Sequence, residues 1–165
     1  MTTRRTGRAV IVSLLSLLLP WIAHAEWIAI SPAGIHSEDP TLTLTPLAGS
    51  PSSLAVQSQT PGDLKWLVVG LPVTAGQAID AVQVCYQAPD DGIFIRQVRL
   101  VEHLDTARGL VVHDDSAVLT SPTPMCYRSP VPAYTARDAV SLWLRLEVTE
   151  AADVLIIHSV SVHVP

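Results

Sequence analysis

The chain reads as an all-β protein, a single-domain antiparallel β-sandwich of jelly-roll type, and three observations predict it. Val140, Leu142, Leu144, Leu146 and Val148 alternate with Ser141, Trp143, Arg145, Glu147 and Thr149, the pattern of a strand with one face in a core and the other in more polar surroundings. Beyond residue 25, no segment keeps apolar positions at helical spacing for more than about two turns. Instead, short alternating runs are separated by turn signals about every ten residues, as in sandwiches and jelly rolls.

The chain opens on a secretory pattern. Arg4, Arg5 and Arg8 precede the apolar and serine stretch from Ala9 to Leu19, Pro20 closes it, and Ala23-His24-Ala25 supplies small residues at the two positions read by signal peptidase. The stretch falls short of the roughly 20 apolar residues that span a bilayer. The expectation is a signal peptide over 1–25, cleavage before Glu26, no membrane span afterwards, and a secreted or periplasmic protein. The seven basic and fifteen acidic residues after Ala25 give that portion a net charge of −8. A surface of this sign repels phosphate, which argues against nucleic-acid partners.

Export also explains the cysteines. In an oxidising compartment Cys85 and Cys126, the only two, have one possible intramolecular bridge. Neither lies in a C-x-x-C motif.

Within the domain, residues 26–62 are rich in Pro, Ser and Thr, and Pro40, Pro46, Pro51 and Pro61 predict edge strands and loops. The sandwich core is expected over 63–165. Lys65 to Val73 is a nearly continuous apolar run that Pro72 confines to an edge or a strand end. In the segment Ala81 to Gln87, Val82, Val84 and Tyr86 share one face and Gln83, Cys85 and Gln87 the other. Pro89-Asp90-Asp91-Gly92 is a turn, with glycine expected at positive φ. Ile93 and Ile95 are out of phase with Val98 and Leu100, so a β-bulge is predicted near Arg96-Gln97. Leu110 to His113 and Ala117 to Thr120 are expected to flank a hairpin turn at His113-Asp114-Asp115-Ser116. In the last strand Val154, Ile156, Val160 and Val162 are read in phase, interrupted by His158.

The strings Val82-Gln83-Val84-Cys85-Tyr86-Gln87, Gln97-Val98-Arg99-Leu100, Asp114-Asp115, Leu119-Thr120-Ser121 and Cys126-Tyr127 resemble a jelly-roll type of β-sandwich module in uncharacterised exported bacterial proteins. The resemblance covers about Leu64 to Val164. It implies the fold and no activity.

Candidate chemistry is sparse. Asp90-Asp91-Gly92 and Asp114-Asp115, with Glu102 and Asp105 near in sequence, are candidate oxygen ligands for calcium. Aspartate pairs are equally ordinary turn residues, and no D-x-D-x-D-G loop is present. His113, His158 and His163 show no H-x-H or H-E-x-x-H spacing, and strand parity sends His158 and His163 to opposite faces. There is no G-x-S-x-G elbow. A hydrolase or metal-dependent enzyme is therefore the alternative reading, and an outer-membrane barrel a third, weakened by a last strand that ends without an aromatic.

The leading expectation is a non-catalytic binding or envelope-assembly module for a glycan or a protein partner. Its candidate face is Trp143, Arg145 and Glu147, because an indole beside charged, hydrogen-bonding side chains suits a sugar ring or a protein surface. Such a face requires Trp143 and Arg145 to be substantially exposed. Trp66 and Trp27 read as core or strand-edge residues.

Overall fold

A computed structural model describes residues 25–105 and 108–165; of the expected signal segment 1–25, residues 1–24 lie outside the described residues. Eleven strands follow one another: β1 Glu26–Ile30, β2 His36–Ser37, β3 Leu42–Leu47, β4 Ser50–Ser58, β5 Gly62–Gly70, β6 Ala78–Gln87, β7 Ile93–His103, β8 Gly109–Asp115, β9 Met125–Thr135, β10 Val140–Val148 and β11 Val154–Val164. They form two antiparallel sheets. One has the order β3-β4-β11-β6-β9, with β1 paired to the C-terminal half of β11. The other runs β2-β5-β10-β7-β8.

The core lies between the inner faces. From the five-stranded sheet come Leu67 and Val69 of β5, Leu142, Leu144 and Leu146 of β10, and Ile93, Ile95, Val98 and Leu100 of β7. Val82, Val84 and Tyr86 of β6 face them with Leu155, Ile157, Val160 and Val162 of β11. Each large apolar side chain so buried contributes roughly 1.5–3 kcal/mol.

Two bulges keep this layer continuous. The register between β10 and β7 shifts between Arg145 and Leu146, where Gln97 and Ile95 are the successive partners, so Arg96 is the extra residue and both halves of β7 face inward. The expected bulge is present. In β11 the register against β6 shifts between Ile157 and Ser159, which corrects the expected phase. Before the bulge the buried residues are Leu155 and Ile157, not Val154 and Ile156. An unbroken parity count cannot place His158 relative to His163 for the same reason.

Three other expectations are corrected. The Pro-rich stretch holds an internal strand, β4, between β3 and β11. This works because β11 pairs with Leu54–Gln57, which contains no proline. His113, Asp114 and Asp115 belong to β8 rather than to a hairpin turn. The segment beyond makes a single bridge, Leu119 to Ile95, since Pro122 and Pro124 have no N–H to extend a ladder. Gly92 does not adopt positive φ. Its need is for space: a Cβ there would lie 2.5 Å from Glu150 Cβ.

Cys85 and Cys126 form the disulfide and are direct partners in the β6–β9 ladder. They sit on the outer face, opposite in parity to Val82, Val84 and Tyr86. Closing a loop with a sequence separation of 41 contributes about 4 kcal/mol in the chain-entropy account.

Charged side chains plug both ends of the core. Lys65, buried at 4% exposure, directs Nζ to Thr41 Oγ1 at 2.5 Å, Thr60 Oγ1 at 3.2 Å and Asp39 Oδ2 at 3.3 Å. At the other end Glu102 is fully buried. Its Oε1 accepts from the Arg137 and Asp138 backbone N–H groups at 2.6 and 3.2 Å, and its Oε2 from the Arg137 guanidinium at 3.1 Å. Burial alone would raise the Glu102 carboxyl pKa. The hydrogen bonds it accepts outweigh that and hold it at about 2.

Two outcomes follow. Leu144→Ala, at the centre of β10, should lower stability by about 2–5 kcal/mol through lost contacts and a residual cavity, measured by urea unfolding. The depressed Glu102 pKa stabilises the fold fully above about pH 4.5, its ordinary value, and that contribution is lost as pH falls towards 2. Glu102→Gln should therefore flatten the acid limb of a stability–pH profile; an unchanged slope would show that the latch does not carry it.

Candidate functional site

The alternation of β10 determines what the five-stranded sheet presents to its outer side. With Leu142, Leu144 and Leu146 inward, Ser141, Trp143, Arg145 and Glu147 must point outward. Across the sheet Trp143 lies between Val68 of β5 and Arg99 of β7, and Arg99 is followed by Asp114 of β8. Arg145 lies between Trp66 and Gln97. Three candidate residues thus share a face, and the structure adds Trp66, Arg99, Gln97 and Asp114 to them.

These side chains form one connected surface. The rings of Trp66 and Trp143 meet edge to face, with centroids 5.9 Å apart and planes at 70°. The Arg99 guanidinium carbon lies 5.1 Å from the centre of the Trp66 ring, within cation–π range. The Trp143 indole N–H donates to Ser141 Oγ at 2.8 Å, so the ring leans along its own strand. His103 Nε2 is also 2.7 Å from that hydroxyl. Trp143 is half-buried and the Arg145 side chain is 25% exposed, so the expectation that both are substantially exposed is corrected: their packing against Ser141, Trp66 and Asp63 leaves only part of each on the surface. Ser141 is itself buried, with its hydroxyl held between the Trp143 indole and His103.

Charge on this face is internally matched. Arg99 pairs with Asp114 at 3.0 Å, Arg145 with Asp63 at 3.0 Å and Arg96 with Glu147 at 3.4 Å. Gln97 Nε2 donates to the other oxygen of Asp114. The Arg99 Nε–H is buried without an acceptor among the described residues. The described residues contain no enclosed pocket.

Of the aspartates weighed for calcium, Asp90, Asp105, Asp114 and Asp115 are engaged by protein donors. Asp90 accepts from the Val154 backbone N–H at 3.2 Å, Asp105 from Arg108 at 2.7 Å, and Asp115 from Tyr127 and Ser129. Among the described residues no three His, Cys, Asp or Glu side chains are grouped to hold a metal ion.

A Ser/His/Asp grouping occurs where β8 meets β9. His113 Nε2 is 2.8 Å from Ser129 Oγ, and Ser129 donates to Asp115 Oδ2 at 2.6 Å. In a nucleophile-activating triad the carboxylate orients the histidine. Here it binds the serine hydroxyl directly and takes a second hydrogen bond from Tyr127 at 2.8 Å, while Ser129 is 1% exposed. The group stitches the two sheets together along one side. Burial pushes the His113 pKa down against the raising effect of Asp115 and Asp114, and burial with the Asp115 contact pushes Tyr127 up to about 12.

The sequence suggests a core or strand-edge position for Trp66. It belongs instead to the outer face, half-buried beside Trp143. The apolar run Trp66-Leu67-Val68-Val69 concealed the alternation, because Val68 on the outer face is as buried as its neighbours. Arg99 was recoverable, since the bulge that turns Val98 and Leu100 inward turns Arg99 outward.

No protein-family profile matches the sequence, and no curated protein matches it. Solved structures do. A xylan-binding module CBM15 superposes with a TM-score of 0.56 at 14% identity, over 86% of this chain and 97% of that one. The structure described as "CBM4 structure and function" gives 0.50 at 14% identity, over 84% and 86%. The likeness is one of fold, a β-sandwich module shared with these structures at low identity. A tandem CBM22-1-CBM22-2 domain from Paenibacillus barcinonensis Xyn10C aligns at 0.54 and 12% identity, over 85% of this chain but 45% of that one, so the chain spans about half the length of the tandem.

Removing the indole of Trp143 should strand Ser141 and expose the Trp66 edge. Trp143→Ala is expected to lower stability by roughly 3–5 kcal/mol, and Trp143→Phe by distinctly less, since a ring remains to cover the sheet. Equal melting midpoints for wild type and Trp143→Ala would show that the ring is not part of the packing.

Proposed function

We propose that the chain is an exported, non-catalytic glycan-binding module whose ligand lies across the outer face of the five-stranded sheet. The observation that carries this reading is the contiguous Trp66, Trp143 and Arg99 surface on three adjacent strands of one sheet. Indole rings offer apolar faces to the C–H face of a pyranose. Around them Gln97, Asp114, Arg145, Asp63 and Glu147 offer donors and acceptors for hydroxyls. The xylan-binding CBM15 shares the fold, which supports a saccharide over a protein partner as the first ligand to test.

The charge pairing favours a neutral sugar. Every outward arginine on this sheet already has a carboxylate, so an anionic sugar would have to displace one, whereas neutral hydroxyls can join the existing pairs as additional hydrogen-bond partners. A neutral polysaccharide is the proposed ligand, with xylo- and gluco-oligosaccharides as the first probes.

Isothermal titration calorimetry of the protein against neutral oligosaccharides tests the reading. Binding should be measurable, and Trp66→Ala and Arg99→Ala should each weaken it by about tenfold or more, with circular dichroism reporting an intact fold. Binding that survives both substitutions would move the site elsewhere, and no binding across the neutral panel would defeat the proposal.

A further inference from the structure

The sandwich has a second outer face, that of the six-stranded sheet, and it carries a cation without a carboxylate partner among the described residues. Of the described lysines and arginines, Lys65, Arg96, Arg99, Arg108, Arg137 and Arg145 each have a carboxylate partner. Arg128 has none among the described residues. Its recorded contact is with Trp27, whose ring centre lies 5.3 Å from the guanidinium carbon.

The pairing spans the sheet. Trp27 sits on β1 opposite His163 of β11, and Arg128 on β9 opposite Gln83 of β6. Their backbones are three strand spacings apart, about 14 Å, so the two long side chains converge over β11 and β6. Small residues lie beneath: Ala29 pairs with Ser161, which pairs with Gln83, and Ala81 pairs with His163. The disulfide at Cys85 and Cys126, two residues from Gln83 and Arg128, clamps the same two strands on this face. Trp27 remains 37% exposed. His163 lies against it with ring centres 4.9 Å apart. The nearby acid, Asp80, is held by His163 Nδ1 at 2.5 Å.

The other sheet shows what completes such a pair. There Arg99 lies over Trp66 and its guanidinium binds Asp114: cation, indole and carboxylate together. The Trp27 and Arg128 pair has the first two and lacks the third. A guanidinium held against a ring by its face keeps its N–H donors in its own plane, and that planar fork matches a carboxylate bidentately.

We infer that Trp27 and Arg128 form a second binding site, for a carboxylate-bearing sugar such as a uronate, on the side of the sandwich away from the neutral-glycan face. The carboxylate takes the Arg128 fork, and the sugar ring takes the exposed part of the Trp27 indole. Gln83 lies alongside as a hydroxyl partner. On a portion of chain with net charge −8, an acidic ligand is held only where a cation is free, so binding is confined to this spot and weakens with salt.

The test uses tetragalacturonate, its carboxyl-reduced neutral counterpart and hexaglutamate, titrated into wild type, Arg128→Ala and Trp66→Ala by calorimetry at low and at physiological salt. Wild type should bind tetragalacturonate, more weakly at higher salt. Arg128→Ala should lose about tenfold or more of that affinity with an unchanged melting midpoint, and Trp66→Ala should retain it, which separates this site from the face on the other sheet. No binding by wild type, equal binding by Arg128→Ala, or undiminished binding of the reduced tetramer by Trp66→Ala, in which the neutral-glycan face is disabled, would overturn the proposal. Equal affinity for hexaglutamate would overturn the assignment to a sugar.

Discussion

The apolar layer between β10 and β11 is the constraint on which the other features depend. Leu142, Leu144 and Leu146 on one side and Leu155, Ile157, Val160 and Val162 on the other are buried to 1% exposure or less. Each strand is the middle of its sheet: β10 holds β5 and β7, and β11 holds β4, β1 and β6. Because side chains alternate strictly along a strand, fixing the inner residues fixes the outer ones as well. Trp143 and Arg145 face outward because Leu142, Leu144 and Leu146 face inward.

Both bulges serve that layer and have consequences outside it. The extra residue at Arg96 lets β7 bury Ile93, Ile95, Val98 and Leu100 together, and so places Arg99 in the same row as Trp143. Without the insertion either the core or the outer row would lose its second half. The shift after Ile157 acts similarly in β11. The disulfide works differently, because it lies outside the core and restrains β6 and β9 where they already pair.

Polar groups buried at the margins determine how the sandwich closes. Lys65 and Glu102 lie on the inward parity of β5 and β7 at opposite ends, where a leucine would meet loop backbone instead of another strand. Each is satisfied by groups from loops: Thr41, Thr60 and Asp39 around the ammonium, and the Arg137 and Asp138 N–H groups around the carboxylate. Buried charges are tolerated when their hydrogen bonds are made, and here they tie the connections to the sheets. Along one side, His113, Ser129, Tyr127 and Asp115 join β8 to β9 in the same manner.

The sequence by itself determined the class of the fold, the β10 pattern, the bulge at Arg96 and the pairing of Cys85 with Cys126, because period-2 burial and the count of cysteines are local or exhaustive signals. It also placed Trp143, Arg145 and Glu147 on one face, which follows from parity within a single strand. Tertiary structure decided which other strands lie beside that face. Trp66 comes to Trp143 from β5 and Arg99 from β7, across ladders whose partners are distant in the chain, and no periodicity encodes strand order. It also decided that His113 and Asp115 extend β8 instead of turning, since their partners, Ser129 and Tyr127, come from another sheet. That Arg128 has no carboxylate partner among the described residues became visible in the same way, because it depends on which side chains the fold brings together.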